Sequence, residues 1–415
     1  MKIIARSLRE RDFRLYFTGQ SVSFVGTWVQ QVALTWIAYE ISGSALVLGM
    51  VAFAGQLPSL LLCPLGGLLA DRISRRHILI ATQLAEMSVA LSLAVAAAHG
   101  ALTSSLLIGA AFATGVAVAF EMPARHAFIC EVVRRPAAHL SNAIALNSMS
   151  FNAARLLGPA LGGAVLALSG TSACFFANAL SYLPEIYTLM TIRPLLSDRT
   201  RKASNLAAGY KYVNRNAAAR GLLLTVACTS IGLAPFTTLP PKYVVDILHG
   251  DSSELGMLMG AAGCGALIAG LSIARRRSVA GMESSVEAGC VVAGLTACLF
   301  AWNTDYLFAM VLMMASGWCT VKIVTVSHAM LQMIVPNAVR GQLMAFYTMC
   351  YGGALSLASL AVGALAQWRG VAEMFVLSAV VYFLLAIALR NLLHELRAEP
   401  PSFGVAVANR QTVER

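Results

Sequence analysis

Five ionisable side chains stand well inside long apolar stretches of this sequence. They are Glu86, Arg155, Glu185, Glu287 and Lys322. A charge near the centre of a lipid bilayer is costly, so such a residue faces a partner or a water-filled cavity. Carboxyl groups shielded from water can bind and release protons near neutral pH. The three glutamates are therefore candidates for proton uptake and release.

The same residues also allow a purely structural interpretation. Glu86 and Arg155 could form a fixed ion pair between neighbouring helices, and this alternative stays open at this stage. Arg155 and Lys322 lie in different halves of the chain. If both face a central cavity, they make it electropositive and suited to an anionic ligand, because a guanidinium can bind a carboxylate through two hydrogen bonds.

Polar residues follow one face of the first apolar stretch. Their spacing of three, four and four residues is that of one helical face, and in a membrane such a face must contact protein or water. A second polar run lies beside Arg155. The face of the first stretch consists of Gln20, Ser23, Thr27 and Gln31, and the second run includes Asn152 and Arg155. Together with Lys322 these residues are the candidates for lining a cavity; hydrogen bonding between helices is the alternative for the two polar runs.

Composition fixes the class of protein that must position these residues. The chain has 415 residues, of which 58% are hydrophobic and only 12% are charged, whereas soluble domains have about 25% charged residues. The apolar residues form blocks of about 20, long enough to cross a bilayer as helices. The net charge of +11 comes from basic residues in short loops between the blocks. That distribution favours a membrane surface over a nucleic-acid partner.

The apolar blocks predict an all-α membrane protein with twelve transmembrane helices. With the N-terminus in the cytoplasm, 26 of the 30 Lys and Arg residues fall in cytoplasmic segments, as the positive-inside rule requires. Only Lys242 and Arg369 fall in external loops, so both termini are predicted to be cytoplasmic. The predicted helices are 14–39, 44–70, 77–98, 102–122, 139–167, 171–192, 219–243, 253–274, 280–301, 305–327, 341–366 and 371–394.

The helices fall into two sets of six. The longest internal polar stretch, 193–218, separates an N-terminal bundle (1–192) from a C-terminal bundle (219–395), and 396–415 forms a polar cytoplasmic tail. An internal echo supports duplication: an Arg-Arg pair precedes Glu86 by ten residues, and a second pair precedes Glu287 by the same interval. The sequence therefore predicts two pseudo-symmetric bundles.

Two short motifs stand out against this background. After the second helix, Gly67, Asp71, Arg72, Arg75 and Arg76 form a charged turn that demands water or lipid headgroups. Here glycine favours close helix packing, and an acid needs Arg partners or a helix N-terminus. The alternative is that the arginines of this turn only set the orientation of the chain in the membrane.

The second motif lies in the fifth helix and consists of Gly158, Pro159, Gly162 and Gly163. Proline removes a backbone hydrogen bond and bends the helix, while the glycines allow close packing on a partner.

Together these features resemble the major facilitator superfamily over residues 10–395. The match begins with the charged turn at Gly67, and the Gly-Pro element of the fifth helix resembles that of the superfamily's drug and metabolite exporters. The resemblance implies that the charged turn latches the two bundles in an outward-open state and that the fifth helix favours export.

A narrower resemblance rests on two further segments. Residues 11–16 and the Pro123-Ala124-Arg125 segment resemble the branch that contains the enterobactin exporter and macrolide efflux proteins. The resemblance implies a monomeric secondary exporter of the bacterial inner membrane, coupled to protons, with an anionic siderophore as the expected substrate. The alternative is a multidrug or macrolide efflux pump.

Several other classes of protein are not expected. The sequence contains no Walker lysine loop, so ATP binding is not predicted, and no enzymatic activity or cofactor is expected. The nine cysteines are scattered singly and indicate neither disulfides nor a metal site. A non-transporting receptor is disfavoured because the external loops are very short.

Overall fold

The computed structural model describes residues 7–133, 137–192, 206–274, 282–336 and 339–398. Within these ranges the chain is almost entirely helical. A short 3₁₀ turn, Ser7–Arg9, precedes the first long helix. The α-helices are α1 Arg11–Ser42, α2 Ala45–Arg72, α3 Arg75–Ala98, α4 Ser104–Val132, α5 Ala137–Thr191, α6 Leu206–Arg215, α7 Ala217–Thr238, α8 Pro240–Asp246, α9 Ser252–Ala274, α10 Met282–Trp302, α11 Tyr306–Ile334, α12 Arg340–Arg369 and α13 Val371–Ala398.

The prediction of twelve membrane-crossing segments is consistent with these helices. In the described part of the chain, ten helices are long and apolar enough to cross a membrane. One of them, α5, leaves helical geometry at Gly170, whose φ of 78° is in the left-handed region that suits glycine. This turn divides α5 into a first arm, 137–169, and a second arm, 171–191. With the 32-residue α1 and the two arms counted separately, the total is twelve.

The helices pack as two groups with two lines of contact between them. The first group consists of α1 to α5, in which α1 packs on α5 and α2 on α4. The second group consists of α6 to α13, in which α9 packs on α11 and α10 on α13. The groups meet where α2 packs on α12 and where α5 packs on α9. The predicted bundle boundaries at 192 and 219 remain a prediction.

Glycines make both lines of contact close. On α2, Gly49 lies so near Gly363 of α12 that a Cβ on Gly49 would be 3.0 Å from the Gly363 Cα. On the first arm of α5, Gly163 and Gly256 of α9 approach to the same degree. The backbones are thus in van der Waals contact, which helices in membranes achieve with small residues.

These close approaches define one end of the molecule as closed. The end at which α1 finishes and α2 begins is called the closed end, and the opposite end carries the connection between α2 and α3. At the closed end, Gln367 accepts hydrogen bonds from the Ser44 hydroxyl and from the Ala45 backbone amide, at 3.2 and 2.9 Å. Contacts between the groups continue to mid-helix, where Gly353 packs on Leu60.

Two elements differ from the sequence prediction. Helix α7 ends at Thr238 because the Pro240-Pro241 pair starts a separate short helix, α8. Residues 206–215, predicted to belong to a linker, form α6 and pack on α12. The Tyr212 hydroxyl also donates a hydrogen bond to the Ile334 carbonyl at the end of α11. The rest of the predicted linker and the tail 396–415 lie largely outside the described residues.

The contact between α5 and α9 gives a direct test of this packing. Replacing Gly256 with leucine would force a side chain into the backbone of α5, and overpacking costs about 1–3 kcal/mol. We expect the Gly256→Leu protein to unfold at a lower temperature than the wild type in detergent. Gly270→Leu is the matched control on the same helix, because a Cβ there meets nothing within 4 Å. Equal melting temperatures for the two variants would refute the described contact.

Candidate functional site

Arg125 is the centre of a buried cluster of charges in the first group of helices. Its guanidinium pairs with Glu121, one turn earlier on α4, and lies 3.5 Å from Glu185 on the second arm of α5. The side chains of Arg125, Glu121 and Glu185 are 7%, 6% and 0% exposed. The pairing with Glu121 exists because α4 continues through Pro123, which brings positions 121 and 125 onto one face.

The cluster extends to α1 and α3 through amide and hydroxyl groups. Gln83 donates a hydrogen bond from its side-chain nitrogen to Glu121 at 3.1 Å, and its oxygen accepts one from the Ser23 hydroxyl at 3.4 Å. Glu86 lies nearly one turn further along α3, is 5% exposed and interacts with Arg125 and with the Tyr182 hydroxyl. Four helices therefore contribute to one polar core.

Several polar atoms of this core have no hydrogen-bond partner among the residues that the structure describes. Burying such an atom costs about 1–3 kcal/mol. Several unsatisfied polar atoms within one cluster are therefore unusual for a core that serves packing alone. The atoms are Tyr16 Oη, Gln20 Nε2, Glu86 Oε1, Arg125 Nε and Glu185 Oε2. A cluster with unused donors and acceptors can accept protons or water.

Glu121 and Arg125 were missed by the sequence analysis. The predicted fourth helix ended at 122, immediately before Pro123, whereas α4 continues to Val132, so the predicted end was wrong by ten residues. Proline is tolerated inside membrane helices because neighbouring groups satisfy the freed backbone. The four-residue spacing of an acid and a base was the signal that could have located the pair.

The structural alternative of a Glu86–Arg155 ion pair is wrong. Glu86 faces Arg125, whereas Arg155 stacks over Trp28 of α1, with 5.9 Å from its guanidinium carbon to the ring centroid. The backbone of Arg155 packs on Gly263 of α9, which belongs to the second group. Arg155 is thus held where the two groups meet.

The two other predicted ionisable residues lie in the second group, away from this cluster. Lys322 on α11 is 9% exposed, and its ammonium lies 4.7 Å from the centroid of the Trp318 ring. Glu287 on α10 is half-buried, with Cys290 one turn away. The structure therefore brings Glu86 and Glu185 together but not Glu287.

The predicted polar face of α1 divides into a buried part and an exposed part. Gln20 and Ser23 are buried within the first group, on the side of the Arg125 cluster, while Thr27 and Gln31 are exposed. On α5, Asn152 is half-buried and donates its side-chain amide to the Ser148 carbonyl at 2.8 Å. The face thus joins a charged core to an exposed surface.

The glycine motif of α5 packs against two helices at once. Gly158 and Gly162 face α1, where a Cβ on Gly162 would lie 3.0 Å from the Val29 Cα, and Gly163 faces α9. The backbone remains helical at Pro159 and leaves helical geometry only at Gly170. The motif therefore acts here as a three-helix contact.

The charged turn between α2 and α3 is fixed to the first group. Arg75 forms an ion pair with Glu131 at the end of α4, at 2.7 Å, and Arg76 donates to the Met190 carbonyl on the second arm of α5, at 2.5 Å. Arg72 is exposed. Asp71 lies in the last turn of α2, and its side chain lies outside the described residues.

The glycine that permits close packing beside this turn is Gly66. A Cβ on Gly66 would lie 3.1 Å from the Phe120 Cα, whereas a Cβ on Gly67 would meet nothing within 4 Å. The expectation that Gly67 also brings two helices together was therefore wrong. Its part in a latch between the bundles remains a prediction.

A second polar cluster joins the two groups at the closed end. The Tyr39 hydroxyl at the end of α1 donates to Asp246 of α8 at 2.7 Å, and Lys242 pairs with the same carboxylate at 2.5 Å. Burial lowers the pKa of Lys242, but hydrogen bonds to Asp246 and Tyr39 outweigh it and leave the pKa above its usual value. This closed-end lock was not predicted from the sequence.

Comparison with known proteins agrees with this architecture. The sequence profile of the family described as Transmembrane secretion effector matches residues 5–402. The chain is therefore a membrane transporter of the major facilitator type rather than an enzyme. It belongs to the transmembrane secretion effector family, and the predicted superfamily is confirmed.

Three relatives have known transport roles. The staphyloferrin A transporter of Staphylococcus aureus is 25% identical over 65% of this chain and 68% of its own. The multidrug efflux pump Tap of Mycolicibacterium fortuitum is 24% identical over 87% of this chain and 91% of its own. Macrolide efflux protein A of Streptococcus pyogenes is 24% identical over 62% of this chain and 65% of its own.

Solved structures share the fold. A bacterial homologue of the lysosomal transporter Spinster, in an inward-facing and occupied conformation, has a TM-score of 0.75 and 13% identity, covering 96% of this chain and 99% of that one. The nucleoside transporter NupG has a TM-score of 0.74 and 12% identity, covering 91% and 99%.

The buried cluster should contribute strongly to stability through Arg125. Removing one partner of a buried ion pair costs about 3–5 kcal/mol, so Arg125→Ala should lower the melting temperature in detergent markedly. Lower pH should restore part of the loss, because the stranded carboxyl groups can then be protonated. Arg369→Ala is the control, since its pair with Glu373 is exposed and 3.8 Å long, worth about 0–1 kcal/mol. A loss no greater than that of the control would contradict the described cluster.

The closed-end lock should hold α1 and α8 together. Asp246→Ala removes the hydrogen bond from Tyr39 and the ion pair with Lys242. We therefore expect faster amide hydrogen exchange in residues 240–256, measured by mass spectrometry. Folding raises the pKa of Lys242, so its contribution is complete below the unfolded value of about 10.4 and is lost only above it. The exchange difference should therefore persist through neutral pH.

Glu40→Ala is the control for this experiment, because Glu40 is an exposed acid at the same end. Equal exchange in the two variants would show that the lock does not hold the closed end.

Proposed function

We propose that this chain is a secondary active exporter that moves a small molecule out of the bacterial cytoplasm in exchange for protons. The predicted bundles, 1–192 and 219–395, rock against each other around a central passage. In this proposal the protein is a monomer of the inner membrane with both termini in the cytoplasm.

The observation that carries the proposal is the charge of the buried cluster. Glu86, Glu121 and Glu185 share a single guanidinium, that of Arg125. With every carboxyl group ionised, the cluster would carry a net charge of −2, from three negative groups and one positive group. Binding a proton relieves a buried excess of negative charge of that size, and the affinity of the cluster for the proton changes when water reaches it. A passage that opens alternately to the two sides of the membrane would bring water to the cluster and remove it again.

The contacts between the groups support an inward-facing state. Since the distribution of Lys and Arg predicts a cytoplasmic N-terminus, the closed end, with its lock at Tyr39 and Asp246, would face outward. The likeness to an inward-facing transporter structure agrees with this assignment. Opening of the closed end would then require breaking the lock and separating Gly49 from Gly363.

The substrate we propose is an anionic siderophore. Arg155 supplies a cation at the junction of the two groups, and a guanidinium suits carboxylate ligands. A relative that transports staphyloferrin A supports the same class.

A multidrug or macrolide pump is the second candidate. Phe151 is 44% exposed beside the half-buried Trp28, which offers an apolar surface to drugs. The likeness to Tap and to macrolide efflux protein A favours this candidate.

Inverted membrane vesicles test the proposal. The lumen is acidified, and staphyloferrin A or erythromycin is added outside; antiport should carry the substrate inward and raise the lumenal pH, which an acridine dye reports. Glu185→Gln and Glu86→Gln should reduce proton movement at least tenfold, and Arg155→Ala should reduce siderophore uptake while sparing erythromycin. Glu373→Gln, an exposed acid at the closed end, is the control.

Unchanged proton movement in both glutamate variants would overturn the proposed coupling. Uptake of erythromycin alone, insensitive to Arg155→Ala, would select the drug pump.

A further inference from the structure

Three aromatic rings form a continuous stack between the two arginines of the first group. Phe24 of α1 lies under the Arg125 guanidinium, 4.6 Å from ring centroid to Cζ. Phe151 of α5 meets the Phe24 ring edge-on at 5.4 Å and the Trp28 ring at 6.3 Å. Trp28 in turn lies under Arg155, 5.9 Å from the ring centroid. This set of rings, Phe24, Phe151 and Trp28, is called the ring stack.

The position of Arg155 favours a ring stack that faces the passage rather than lipid. Phe151 and Arg155 are four residues apart on α5 and so share one face of the helix. Arg155 is half-buried near the middle of the first arm of α5, where a guanidinium facing hydrocarbon would be costly, so this face is expected to meet protein or water. The exposed residue Ser148 continues the same face toward the end opposite the lock. The 44% exposure of Phe151 fits exposure to the passage.

Arg155 has no carboxylate partner in the part of the chain that the structure describes. Its neighbours are the Trp28 ring and the Tyr351 side chain of α12, both uncharged groups. Arg125, by contrast, has three carboxyl groups around it. A cation deep in a membrane protein that lacks an internal anion is matched to an anion from outside.

We infer that the ring stack and Arg155 form a binding subsite for an anion that carries an aromatic ring. The acidic group would bind the Arg155 guanidinium, and the ring would lie against Phe151 and Trp28. This inference rests on the proposed function and narrows its substrate class. An aliphatic anion would still bind Arg155 but more weakly, because it lacks the ring contact, whereas an aromatic cation is repelled by Arg155.

Isothermal titration calorimetry on the purified full-length protein in detergent tests the subsite with simple probes. 2-Naphthoate has both the ring and the charge, cyclohexanecarboxylate has only the charge, and tetraphenylphosphonium has aromatic rings with the opposite charge. We expect 2-naphthoate to bind at least tenfold more tightly than either of the others. Binding of tetraphenylphosphonium as tight as that of 2-naphthoate would overturn the inference.

Variants separate the contribution of the Arg155 charge to binding from that of the Phe151 ring. Arg155→Gln should weaken 2-naphthoate binding at least tenfold, and Phe151→Leu should weaken it several-fold while leaving cyclohexanecarboxylate binding unchanged. Phe112→Leu is the matched control, because Phe112 is 47% exposed on α4 and takes part in no described ring contact. If Phe112→Leu reduces 2-naphthoate binding as much as Phe151→Leu does, the subsite is not the ring stack. Circular dichroism verifies that each variant is folded.

The two proposals fail differently. If 2-naphthoate binds in the expected order but vesicles show no coupled proton movement, the subsite stands and proton antiport fails. If vesicles show coupled export but 2-naphthoate binds no better than cyclohexanecarboxylate, antiport stands and the subsite fails.

Discussion

The structure of the first group depends on the burial of Arg125 among carboxyl groups. One guanidinium cannot neutralise Glu86, Glu121 and Glu185 together, and a low-dielectric interior makes the remaining charge costly. Four helices therefore pack around a core whose net charge depends on how many of its carboxyl groups are protonated. A core of apolar residues would avoid this cost, so we propose that the charged core serves proton exchange rather than packing.

The position of this cluster connects it to the two-group architecture. Ser23 and Gln83 extend it to α1 and α3, and the ring stack extends from Arg125 to Arg155 at the junction with α9. The closed end, by contrast, is fixed by backbone-close glycines and by the lock of Tyr39, Lys242 and Asp246. The charged cluster thus lies away from the closed end, where the glycine contacts and the lock join the two groups.

Much of the fold followed from the sequence, because blocks of apolar residues of bilayer length determine helices almost alone. The candidate site was only partly predicted. Glu86 and Glu185 stood out as charges in apolar blocks, but Glu121 and Arg125 lie at and beyond the predicted end of the fourth helix, beside Pro123. The sequence left the pairing of Glu86 with Arg155 open because partners across helices depend on packing, which helical spacing does not encode.

The Arg125 cluster should hold an exchangeable proton at neutral pH. Infrared spectroscopy of the purified protein at neutral pH, in H2O and in D2O, detects such a proton through the C=O stretching band of a protonated carboxylic acid. The wild type should show this band, with a shift in D2O, and one of Glu86→Gln, Glu121→Gln and Glu185→Gln should remove or shift it. If the wild type shows no such band, or if none of the three substitutions alters it, the cluster does not hold the proton.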